Sequence, residues 1–137
     1  PVIDNRIFLN GNRLFFLEPM ESSSTQAYIE MARAVFDYYL QGKVSAVHVK
    51  EDMTKYIKQL QNFMIWHYQS GSKYDTPFWD YAKSLTFKDE TFDKFLEYSK
   101  LYDCIPITYG GTTQNKLYGQ WPAYSFKNWN EGINLNT

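Results

Sequence analysis

The sequence predicts a mainly α-helical domain with a scrap of β-structure at its start, and three observations carry that reading. Apolar residues recur at three- and four-residue intervals through two long stretches, one following Ser24 and one following Glu51. Strand-like apolar runs are confined to the first 17 residues. Gly42, Ser70-Gly71-Ser72 and Pro77 then cut the remainder into pieces of helical length.

The elements follow in order. Arg6-Ile7-Phe8-Leu9 reads as a short strand running into the turn Asn10-Gly11-Asn12. A second apolar run, Leu14 to Leu17, stops at Glu18-Pro19, because proline disfavours helix for the residue before it. Four hydroxyl residues, Ser22 to Thr25, then mark a helix start near Ser23 or Ser24. Ser23 and Gln26 have capping-box spacing, with Tyr28, Met31, Ala32, Val35, Phe36 and Tyr39 as the apolar stripe and Gly42 as the C-terminal stop. A second helix is expected from about Glu51 to Gln69, its stripe made by Met53, Tyr56, Ile57, Leu60, Phe63, Met64 and His67. Asp75-Thr76-Pro77 reads as a cap followed by a first-turn proline, opening a third helix through Phe78, Trp79, Tyr81 and Ala82. A fourth follows Asp89, with Phe92, Phe95, Leu96 and Ser99 on one face. From Cys104 the periodicity fades into loop or irregular structure, and Tyr124 to Thr137 opens a last helical pattern.

The bulk properties narrow the functional classes. A chain of 137 residues is long enough to bury one real core. At 44% hydrophobic and 21% charged it reads as globular. The net charge is −1 and the cations are scattered, so neither nucleic acid nor a membrane surface is expected as partner. No apolar run reaches the length of a membrane span. A single cysteine, Cys104, excludes an internal disulfide framework and points to the cytoplasm; it reads as a small buried hydrophobe. Aromatics make up 19% of the chain, which calls for a ring-rich core or for faces that bind flat ligands. The chain opens at Pro1 within a strand-like phrase and without methionine, and reads as cut from a longer protein.

Chemistry concentrates in residues 15–25, where Glu18 and Glu21 flank a proline just ahead of the helix start. Free N–H groups and the macrodipole make such a terminus receptive to anions, so carboxylates and an anion site fall within a few residues of each other. By themselves the two acids read more simply as complements to the helix dipole, and Gly11-Asn12 as an ordinary turn. His67, on the apolar stripe, reads as a satisfied core histidine, since no partner ligands stand at metal spacing.

The order strand, Gly-Asn turn, Phe15-Phe16-Leu17-Glu18-Pro19-Met20-Glu21-Ser22 and helix resembles the flavin-dependent tryptophan halogenase family. A second phrase, His67-Tyr68 followed by Tyr74-Asp75-Thr76-Pro77-Phe78-Trp79, resembles that family's His-Tyr…Asp-(Thr/Ser)-Pro-Phe-Trp block. The chain departs from the family pattern at Met20, usually Leu, at Ser24, where many members have Gly, and at Lys73-Tyr74, which stand where the family has Arg-x and do not reproduce its arginine. The resemblance implies that reduced FAD, supplied by a separate flavin reductase, and oxygen oxidise a bound halide to hypohalous acid. This oxidant reaches a lysine beside an electron-rich aromatic substrate. It further implies Glu21 as the catalytic carboxylate, the amides of Ser23 and Ser24 as the halide cradle, and Gly11, Asn12 and Pro19 as flavin contacts. Trp129 is implied as a ring against the substrate, although a surface-turn tryptophan is an equal reading of that position.

The family's lysine, its Gly-x-Gly-x-x-Gly turn and its Trp-x-Trp-x-Ile-Pro phrase are not among these residues. The resemblance therefore implies a C-terminal piece that pairs with an N-terminal flavin domain and is inactive alone. Residues 1–22 would be the β remnant closing the FAD-binding α/β fold, and 23–137 a helical substrate-binding region. Such a piece should carry an apolar scar and associate with itself, as a homo-oligomer, to cover it. Two rival readings remain: a flavin monooxygenase relative that hydroxylates an aromatic, and a non-catalytic helical module with an aromatic groove.

Overall fold

The first eight residues form a hairpin because Asp4 and Asn5, residue types that tolerate left-handed backbone, both sit there (φ 50° and 54°). Val2–Ile3 (β1) pairs antiparallel with Ile7–Phe8 (β2), in register Val2 to Phe8 and Ile3 to Ile7. The Arg6 N–H closes the turn on the Ile3 carbonyl at 3.2 Å, and Leu9 extends the ladder to Pro1 at 2.9 Å. The expected strand is therefore shorter than residues 6–9 and has a partner that the sequence pattern did not reveal. These features come from a computed structural model, which describes residues 1–17, 22–70, 73–86, 116–118, 121–122 and 131. Two compact units divide it, Pro1–Lys58 and Gln59–Thr137.

In the first unit a 3₁₀ turn, Gly11–Arg13, leads through residues 14–17, which pair with no strand among the described residues. Helix α1 spans Ser23–Arg33 and passes directly into a π-helical stretch, Ala34–Tyr39. The wide turn is seen in the bond from the Leu40 N–H to the carbonyl of Val35, five residues back (2.9 Å). This widening corrects the expected stripe: Val35 and Tyr39 pack on the core, whereas Phe36 is turned out and 63% exposed. Gly42 ends the helix as expected, at φ 69°. Its N–H bonds to Tyr39 O (3.0 Å) and that of Lys43 to Tyr38 O (2.9 Å), which is the Schellman arrangement.

Helix α2 runs from Ala46 to Ser70, five residues earlier than its expected start. Ser45 supplies the cap, its Oγ accepting the His48 N–H at 3.1 Å. The extra turn adds Ala46 and Val49 to the core of the first unit, where they meet Val2, Met31 and Met53. Further along the same helix Leu60, Phe63, Met64 and His67 are buried at three- and four-residue spacing, as the stripe predicted.

In the second unit Thr76 caps α3, Pro77–Ser84, with the proline in its first turn as expected. The Gln69 side-chain amide donates to the Leu85 carbonyl and fastens the end of α2 to the end of α3. Ala82 is the buried residue of α3, while Phe78 and Tyr81 are largely exposed. Lys116–Tyr118 (β3) and Trp121–Pro122 (β4) pair antiparallel, which corrects the expectation of irregular structure beyond Cys104. Strands of two or three residues are too short for alternation to register in a sequence. The helix expected after Asp89, Cys104 and all of the last helical pattern except Glu131, which is helical, lie outside the described residues. The structure is thus mainly helical with minor sheet, and none of its described helices is long and apolar enough to cross a membrane.

Candidate functional site

The turn that sequence reading singled out is built by Asn10. Its Oδ1 accepts the Gly11 N–H at 2.8 Å and caps the 3₁₀ turn, while its Nδ2 donates to the Tyr28 carbonyl at 3.2 Å. Gly11 has φ 57°, a left-handed conformation that glycine adopts without penalty. A β-carbon added there would meet nothing within 4 Å, so the backbone of the turn faces open space. Asn12 is exposed, and its Oδ1 lies 3.0 Å from the Tyr28 hydroxyl.

Tyr28, which the sequence reading treated only as part of an apolar stripe, organises this corner. The same hydroxyl lies 2.7 Å from the Phe15 carbonyl oxygen, and the Tyr28 ring meets Phe15 edge-on at 6.2 Å. One turn earlier on α1, Ser24 Oγ accepts the Leu17 N–H at 3.3 Å. Residues 24 and 28 share a helix face, so α1 grips the chain at both ends of the apolar run 14–17. A four-residue spacing of polar-tipped side chains is a signal the sequence did contain.

The helix entrance differs from the expected capping box. Ser22, not Ser23, is the cap residue, with φ 53°, and its side chain makes no capping bond. Ser23 and Ser24 lie within the first turn and are buried (0% and 4% exposed). Gln26 does not reach back to Ser23 but donates forward to Glu30 Oε1 at 2.9 Å. Glu30 also pairs with Arg33 at 3.5 Å, on the solvent side. Burial, and secondarily the Glu30 carboxylate, holds the Tyr56 phenol well above its ordinary range.

The structure thus brings Gly11 and Asn12 together with the first two turns of α1. Pro19, Glu21 and Trp129 lie outside the described residues. His67 is the core histidine expected: Nδ1 is 2.8 Å from the Phe63 carbonyl, and its ring stacks against Phe63 at 4.3 Å. The described residues contain no cluster of His, Cys, Asp and Glu able to hold a metal ion. In the second phrase Tyr68, Phe78 and Trp79 form a ring cluster, with centroids 5.0–6.2 Å apart. Trp79 is half-buried in it, whereas Phe78 is 56% exposed.

Comparison with known proteins decides the lineage, for the tryptophan halogenase family model matches residues 3–130. The chain belongs to the tryptophan halogenase family. Within it, the chain is 29% identical over 121 residues to the tryptophan 6-halogenase ThaL of Streptomyces albogriseolus. That alignment covers 85% of this chain and 22% of ThaL, so the chain spans about a fifth of the length of this halogenase relative. No solved structure matches it. The matched region contains the Gly-Asn turn, the acidic phrase and all of α1, α2 and α3.

Proposed function

We propose that this chain is the C-terminal part of an FADH2- and O2-dependent halogenase that acts on an electron-rich aromatic through hypohalous acid. The observation that carries the reading is the family match across 3–130, which spans the turn at Gly11-Asn12 and the phrase ending in Glu21. In this reading residues 1–22 close the FAD-binding fold and 23–137 form the helical substrate-binding region. The bare, left-handed Gly11 beside open space and the exposed amide of Asn12 fit a flat cofactor edge that carries hydrogen-bond acceptors. When bound, reduced FAD together with oxygen would supply the two-electron oxidant for the halide.

This chain's own residues divide the remaining work. Amides at the start of α1, at Ser23 and Ser24, hold the halide, favoured by the positive end of the helix dipole. Glu21 orients the hypohalous acid and stabilises the positive charge that grows on the arene during electrophilic substitution. Pro19 contacts the cofactor, and Trp129 lies against the substrate ring. Along one face of α1 and the π stretch, Ile29, Phe36 and Leu40 are 48%, 63% and 60% exposed. That face is the surface left for the flavin-binding part, and the isolated chain covers it by self-association. Sedimentation of the chain alone should show oligomers, and Phe36→Lys should shift it toward monomer.

The reaction is tested with the complete polypeptide that carries this chain, given reduced flavin, oxygen, bromide and a panel of indoles and phenols. Mass spectrometry should find brominated product. Hydroxylated product would instead indicate a monooxygenase, and unchanged substrate a binding module.

A further inference from the structure

We propose that Tyr28 is a positioning residue for the cofactor turn: its hydroxyl fixes the register of residues 10–17 on α1 and sets which end of the Asn12 amide faces outward. The proposal rests on the flavin reading above. Its basis is the convergence of four bonds on two adjacent helical turns. Tyr28 hydroxyl meets Phe15 O at 2.7 Å and Asn12 Oδ1 at 3.0 Å, Tyr28 O accepts from Asn10 Nδ2 at 3.2 Å, and Ser24 Oγ accepts from Leu17 N at 3.3 Å.

Each bond crosses seven or more residues of sequence, so together they tie a loop to a helix rather than a helix to itself. A phenol has one proton, which serves Phe15 O or Asn12 Oδ1 at a given moment. With Oδ1 drawn toward Tyr28, Asn12 offers its NH2 donors to a ligand above Gly11, where the structure shows open space. The same clamp holds Leu17, the last described residue before the Glu18-to-Glu21 phrase, at a fixed place on the helix that supplies the Ser23 and Ser24 amides. Tyr28 therefore sets the spacing between the turn and the helix start without touching the reacting atoms.

Tyr28→Phe removes the hydroxyl and keeps the ring on Phe15. On the chain itself, hydrogen exchange should quicken at the amides of Leu14 and Leu17 in this variant and stay unchanged in the core of α2. In the complete polypeptide, the FAD dissociation constant, read by flavin fluorescence, should rise by up to about tenfold, the equivalent of one hydrogen bond. Leu60→Ala, a core substitution on α2 in the second unit, should lower the melting temperature and leave that constant within about twofold. Unchanged exchange at Leu14 and Leu17 would overturn the clamp. Quickened exchange with unaltered FAD affinity would overturn the positioning role. A wild-type polypeptide that binds no FAD would overturn the flavin reading itself, and with it any role for Tyr28 toward that cofactor.

Discussion

Gly11 shows how a single residue can matter without a side chain. Gly11 is bound by backbone conformation alone: at φ 57° an alanine is strained although its methyl would meet no atom. Gly11→Ala should therefore cost about 1 kcal/mol in chemical denaturation. Gly11→Asn should cost less, because asparagine tolerates the left-handed region. Glu21 is the carboxylate proposed above to act beside the reacting ring. Glu21→Gln in the complete polypeptide should cut halogenated product by about 10²- to 10⁴-fold while FAD affinity holds. Tyr56 adds a pH effect whose sign follows from burial. Its folded-state phenol titrates above the ordinary value of 10.0, so the folded state keeps a proton that the unfolded chain loses. Stability contributed by this difference is full below pH 10 and falls as pH rises beyond it. An alkaline melt of Tyr56→Phe should show a shallower decline than the wild type.

Among the elements, helix ends decide more than helix middles. The stripe from Met53 to His67 was legible because burial follows a 3.6-residue period, and five of its seven members are buried. The start of α2 was not legible. Ser45 is a single hydroxyl without a glutamate or glutamine three residues on, and Lys50, Glu51 and Asp52 mask the apolar rhythm of Ala46 and Val49. Ser45→Ala should destabilise the chain by about 1 kcal/mol, measured by thermal melting, because the His48 N–H then loses its acceptor. The entrance to α1 misled in the opposite direction. Ser23 and Gln26 stand at capping-box distance, yet Gln26 finds Glu30 one turn ahead, and Ser23 lies within the helix rather than at its cap. Propensity rules see only local spacing, and a carboxylate four residues away outcompeted the cap.

For the molecule as a whole, the mainly helical class, the caps at Thr76-Pro77 and Gly42 and the core role of His67 were all present in the residues. Of the strands, β2 was anticipated within residues 6–9, whereas β1, β3 and β4 were not, since strands of two or three residues carry no period. Of the candidate site, the turn at Gly11-Asn12 and the start of α1 could be read as a phrase, but their connection through Tyr28 could not. A phenol tip on an apolar stripe looks like any other ring until the partner carbonyls are located. What joins these scales is the order of the chain itself. Turn and helix start follow one another within 20 residues, and bonds from residues 15 and 17 to α1 tie the two together.

The π stretch from Ala34 to Tyr39 carries a consequence for how this lineage could change. Its wide turn accommodates one residue beyond what a regular α-helix would need, which makes it a phase slip of about 100° between α1 and the Gly42 stop. Deleting a single residue there would leave an unbroken α-helix with its flanking faces in nearly their present phase, because five α-helical residues turn the chain about as far as the six π-helical ones. A one-residue deletion at this point should thus be better tolerated than one in the regular turns of α1.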